Sequence, residues 1–135
     1  MLMKNRSELR EVIMKVLYQI SLLDEAHLDY DIEGLIKEQL EIENQFVHDC
    51  IYGVLEKKND IVTMANKYLN KWTFDRLNKV DQGILSLGIY ELLYTDTPSI
   101  VAINEAIELS KKYSDEAVTK MINGVMDKIY HEEEK

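Results

Sequence analysis

From Leu9 to Ile129, apolar residues recur at every third or fourth position. That period gathers them on one face of an α-helix and scatters them over both faces of a strand. Nothing interrupts it for long: the chain of 135 residues has one proline and five glycines, too few for a fold rich in tight turns. No segment alternates apolar and polar residues between turn signals, so no sheet is expected. No internal repeat is evident. The reading is an all-α chain of six or seven helices forming one domain over residues 1–135, with 130–135 as a solvated tail.

The first helix is the clearest. Leu9, Val12, Ile13, Val16, Leu17 and Ile20 make one buried stripe. Asn5 with Glu8 three residues on has the form of a capping box. Residues 24–30 read as a loop, and a short helix near 30–40 turns Ile32, Leu35, Ile36 and Leu40 inward. A long pattern from about 43 to 70 follows, and Lys57-Lys58-Asn59 is where it would break in two. Asn78 then caps a helix over about 79–95, with Asp81 at its third position, where an acid suits the positive end of the helix dipole. This helix is apolar on most sides, as expected of a central element. Thr97-Pro98 marks a break and restart. A helix continues to about 113, and Ser114 is the expected cap of the last one, whose inner face is Val118, Met121, Ile122, Val125 and Ile129.

Charge excludes some functions and shapes others. The net charge is −9, unlike that of a typical nucleic-acid-binding protein. The distribution is uneven: residues 1–20 are net +2, residues 21–60 net −8 and residues 61–135 net −3. With so few cations to neutralise phosphates, this chain alone should bind RNA weakly. The acidic band at 21–60 has two readings, a solvated surface or an attractor for a basic protein. Cys50 is the single cysteine, so neither an internal disulfide nor a cysteine-cluster metal site is available, which fits a cytoplasmic setting. The first residues, MLMKNRSELR, lack the apolar core of a signal peptide, and uncharged runs are too short to span a membrane.

Catalytic motifs are missing: there is no P-loop, GxGxxG, GxSxG or HExxH. His48 and Cys50 are two residues apart and point to different helix faces. Glu105 and Glu108 share a face but lack the Glu-x-x-His partner that carboxylate metal sites in bundles use. Neither an enzyme nor a metal or other cofactor is expected. A binding surface is one of two readings that the first helix leaves open. Arg6, Arg10, Met14 and Tyr18 form an i, i+4 ridge that drifts away from the buried stripe of the first helix. Two guanidinium groups can hold phosphates and an exposed ring can stack on an unpaired base. The competing reading packs Tyr18 on a neighbouring helix and leaves the arginines in water.

The second half carries a more specific signature: Tyr90-Glu91-Leu92, Pro98, the run Val101 to Tyr113 (VAINEAIELSKKY), Lys120 and Asn123 to Lys128 (NGVMDK). Arg10-Glu11, Leu17-Tyr18-Gln19 and Gly53-Val54 add to it. Over about residues 4–130 the chain resembles the NusB family of transcription antitermination factors. The resemblance implies two small helical bundles packed across each other. It also implies binding of boxA RNA from ribosomal RNA operon transcripts together with the ribosomal protein NusE, within the RNA polymerase antitermination complex. Family members occur as monomers and as homodimers.

Residue by residue, the resemblance assigns RNA contacts to Arg6, Arg10, Tyr18, Lys120 and Met121, and a protein-partner contact to Asp81. Ser7 and Glu8 stand where the family can be basic, and Met121 stands where an aromatic is common. Asn104, Glu105 and Asn123-Gly124 are expected to be structural, Gly124 by allowing close helix contact. Two alternatives remain, a helical protein-binding scaffold and a non-catalytic accessory domain of ribosomal RNA methylation.

Overall fold

The computed structural model describes residues 4–133. Those residues form seven α-helices and one 3-10 turn: α1 (Arg6–Glu25), α2 (Ile32–Gln39), α3 (Gln45–Glu56), α4 (Lys58–Tyr68), the turn Phe74–Arg76, α5 (Lys79–Tyr94), α6 (Ser99–Tyr113) and α7 (Glu116–Glu132). No strand occurs among the described residues. The α1–α3 group meets the α4–α7 group chiefly where α1 and α3 pack against α5.

Local chemistry sets most of the helix ends. At α1 the Asn5 side chain accepts from the Glu8 N–H at 2.8 Å, and the Glu8 carboxylate accepts from the Asn5 N–H at 3.1 Å, the capping box read from the sequence. The helix runs on to Glu25 and closes in a Schellman motif. His27, at φ 56°, takes the left-handed position, Leu28 N–H reaches Leu23 O, and His27 N–H reaches Asp24 O. The long pattern over 43–70 breaks at Lys57, as the Lys-Lys-Asn run suggested. Asn78 caps α5 by accepting from the Asp81 N–H at 2.8 Å.

α5 is the axis of the molecule: residues 81–89 are all buried, and it packs on α1, α3, α4, α6 and α7. Its apolar residues therefore surround it, as expected of a helix with neighbours on every side. The connector before it is pinned by the buried Gln82 amide, which donates to the carbonyls of Phe74 and Leu77, each at 3.0 Å. Gly53 admits the Tyr90 ring, since a Cβ there would lie 2.1 Å from the Tyr90 Oη.

Three expectations need correction. The cap of α7 is Asp115, which accepts from the Val118 N–H at 2.9 Å; Ser114 instead closes α6. Gly124 permits no close helix contact, because nothing lies within 4 Å of where its Cβ would be, and Asn104 and Asn123 are exposed. The stretch read as a tail is largely structured: Tyr130, His131 and Glu132 extend α7, and Glu133 folds against α4. Residues 134 and 135 lie outside the described part.

Candidate nucleic-acid interface

The ridge expected along α1 divides between core and surface. Arg6 is exposed, and its guanidinium carbon sits 4.0 Å from the centroid of the Phe46 ring on α3. Such a cation–π contact covers one face of the guanidinium and leaves its edge available. Tyr18 is half-buried. Arg10 and Met14, however, are core residues. Arg10 is 3% exposed and Met14 2%. The helical wheel failed here because α1 is flanked by α5 as well as by α2 and α3, so its buried arc is wider than one stripe.

All three guanidinium nitrogens of Arg10 donate. Its Nε donates to Glu91 Oε2 at 2.7 Å and a terminal nitrogen donates to Glu91 Oε1 at 2.8 Å, a bidentate pair. The other terminal nitrogen donates to Glu105 Oε1 at 3.0 Å. Thr97 Oγ1 donates to Glu91 Oε1 at 3.1 Å, and the Ser7 hydroxyl donates to Glu105. Burial alone would depress the Arg10 pKa, but the two carboxylates outweigh it and the net shift is upward. The arrangement ties α1, α5 and α6 together. It also gives Glu105 the structural role expected of it.

Asp81 is likewise no surface group. It is 4% exposed, burial pushes its carboxyl above the ordinary range, and it accepts a hydrogen bond from the Ser114 hydroxyl. It joins the start of α5 to the α6–α7 turn. Cys50 is buried and its thiol is pushed up to about 12, chiefly by burial, so it is a packing residue and not a nucleophile. Among the described residues no three His, Cys, Asp or Glu side chains converge as a metal site. Among the described residues no helix is long and apolar enough to cross a membrane.

Lys120 and Met121 fall in a different setting. They line an open groove of about 260 Å³ between the end of α4, the segment after it and α7. Tyr68, Asn70, Lys71, Trp72, Gly124, Val125 and Lys128 complete its walls. Trp72 is 41% exposed, an unusual setting for a large aromatic on a surface covered by nothing else. Lys71 and Lys128 make no ion pair among the described residues, and Lys120 approaches Glu116 loosely at 3.7 Å. The open space over Gly124 widens the groove beside α7.

An exposed indole, a tyrosine and two unpaired ammonium groups lining one trough can stack a base and neutralise its flanking phosphates. Met121 offers no ring, so the aromatic groups of the trough are Trp72 and Tyr68. These two, with Lys71 and Lys128, are the site residues that reading the sequence missed. The segment Lys67-Tyr68-Leu69-Asn70-Lys71-Trp72 interleaves bases with aromatics and was a visible signal, but its partner Lys128 is remote in the chain. The structure does not merge Arg6 and Tyr18 with this groove: α1 packs on α2, α3 and α5, whereas α7 packs on α4, α5 and α6.

Fold and groove together define an all-helical domain with a basic, aromatic trough on its surface, built on a core whose own charges are internally paired. Comparison with known proteins narrows the class. Residues 7–131 match the model of the NusB family. The transcription antitermination protein NusB of Macrococcus caseolyticus is 39% identical over 127 residues, 93% of this chain and 95% of that protein. Its counterpart in Pediococcus pentosaceus is 40% identical over 130 residues, 93% of this chain and 96% of that protein. Among solved structures, NusB of T. maritima superposes with a TM-score of 0.81 at 33% identity, covering 97% of this chain and 94% of that one. A chain from the crystal structure of antitermination factors NusB and NusE in complex with dsRNA superposes with a TM-score of 0.78 at 27% identity, covering 96% of this chain and 98% of that one. The chain belongs to the NusB family.

Proposed function

We propose that this chain is a transcription antitermination factor that binds boxA RNA of ribosomal RNA operon transcripts together with the ribosomal protein NusE. In this reading it is a cytoplasmic adaptor, not an enzyme, and joins the complex that lets RNA polymerase read through terminators. The observation that carries the reading is the end-to-end likeness to NusB, including a chain from a structure that holds NusE and RNA. The trough supports it independently, because Trp72, Tyr68 and the lysines supply what a single strand needs. Within it, Lys120 and Met121 line the RNA path, and Arg6 and Tyr18 extend contact to α1. Arg10 and Asp81, being buried, act by holding the helices that carry those groups.

The net charge of −9 assigns NusE a share of the work. A basic companion offsets the repulsion between this acidic chain and the phosphates. The test is a titration of labelled boxA RNA with the chain alone, with NusE alone and with both. Weak binding to the chain alone and much tighter, salt-sensitive binding to the pair are expected. Binding by the pair that ignores RNA sequence and salt, or no retention of RNA at all, contradicts the reading.

A further inference from the structure

Glu133, just past the end of α7, is anchored and not free in solvent. One carboxylate oxygen accepts from Lys67 Nζ at 2.7 Å and from the Tyr68 hydroxyl. Both donors belong to the last turn of α4, and Tyr68 also lines the trough beside Lys120, Met121 and Trp72. The Glu133 side chain keeps 20% of its exposure, whereas that of Lys67 keeps 58%. An ammonium and a phenolic hydroxyl converging on a single anionic oxygen, with the ring of that hydroxyl lining a basic, aromatic groove, is a phosphate-contact geometry. Here a carboxylate of the same chain fills it. The lysines facing the trough itself, Lys71 and Lys128, have no such partner among the described residues.

We propose that Glu133 is an intramolecular competitor for RNA: its carboxylate occupies a phosphate-contact point formed by Lys67 and Tyr68, and a strand entering the trough displaces it. The proposal rests on the RNA-binding reading above. Its consequence is a built-in attenuation of affinity. RNA engages Lys67 and Tyr68 only in the fraction of molecules where Glu133 has let go, and apparent affinity falls by that fraction. Once displaced, the Glu133 carboxylate adds negative charge beside the strand. The chain alone thereby holds RNA somewhat more weakly, while a strand also gripped by a partner competes more successfully.

The experiment is a fluorescence-anisotropy titration of a boxA oligonucleotide with the full chain plus NusE at several salt concentrations. It compares wild type, Glu133→Ala, Glu132→Ala, Lys67→Ala and the double variant Lys67→Ala/Glu133→Ala. Glu132 is exposed and makes no ion pair among the described residues, so its variant controls for bulk charge. Glu133→Ala is expected to bind about two- to fivefold tighter. Its plot of log affinity against log salt should steepen by up to about 0.7, the value for one more phosphate neutralised on a single strand. Glu132→Ala should match wild type, and in the Lys67→Ala background removal of Glu133 should change little. Equal affinity for Glu133→Ala and wild type, or equal tightening in both alanine variants, overturns the competitor. If wild type with NusE retains no boxA RNA, the antitermination reading itself fails, and the competitor with it.

Discussion

Two regions of this molecule gather cations and use them in opposite ways. Where α1, α5 and α6 meet, the Arg10 donors are taken up by Glu91 and Glu105, and Glu91 is 1% exposed. Between α4 and α7, Lys71 and Lys128 stand exposed beside Trp72 with no acid paired to either among the described residues. The charges have the same sign, but only the second set has donors left for a ligand. A basic residue in a helical stripe is thus not evidence of a binding surface. What decides is whether an acid elsewhere in the chain has already claimed it. Glu91 and Glu105 are remote from Arg10 in sequence, and only the fold reveals the pairing.

The largest effect should come from breaking the closed region. Arg10→Ala leaves the Glu91 carboxylate buried without its partner, and should cost about 3–5 kcal/mol in urea or thermal unfolding. Exchanging both partners, as Arg10→Met with Glu91→Leu, should recover much of that loss, because a packed apolar pair leaves no orphaned charge. A fall in RNA affinity for Arg10→Ala with unchanged stability would instead place Arg10 on the surface and erase the contrast.

Next in size is the open region. Trp72→Ala removes a stacking platform and should weaken boxA binding by about 1–3 kcal/mol, with little change in unfolding midpoint. Smaller again is Lys128→Ala. It should lower affinity modestly and flatten the salt dependence by up to about 0.7 in log–log slope.

The smallest effect concerns Asp81, and its sign follows from linkage. Its carboxyl is raised in the folded chain, so the folded state holds the proton more tightly than the unfolded state does. The stability this adds is present below the ordinary carboxylate pKa and is lost as pH rises through the folded value. Asp81→Asn keeps an acceptor for Ser114. It should therefore flatten the decline in unfolding temperature expected as pH rises above the ordinary carboxylate pKa of about 4.

Legibility in the sequence followed the range of the interactions. Asn5, Glu8 and Asn78 announced their helix starts because a cap and its N–H lie three residues apart. The break at Lys57 and the central position of α5 were visible in the apolar pattern. Ser114 misled because Asp115, beside it, caps equally well, and the fold uses Ser114 to donate to Asp81. At the site, Lys120 and Met121 were named, while Trp72, Tyr68, Lys71 and Lys128 were not. The trough exists only when the segment after α4 lies along α7, and no local pattern encodes that placement. Arg10 shows the reverse error: a local pattern on α1 was overruled by Glu91 and Glu105 from elsewhere.

The most direct test of the contrast is a map of amide and indole shifts during titration of isotope-labelled chain, bound to NusE, with boxA RNA. The expected result is perturbation centred on residues 68–72 and 120–128, the Trp72 indole included, with the Arg10–Glu91–Glu105 seam unmoved. Shifts centred on that seam, with residues 68–72 silent, would contradict the account.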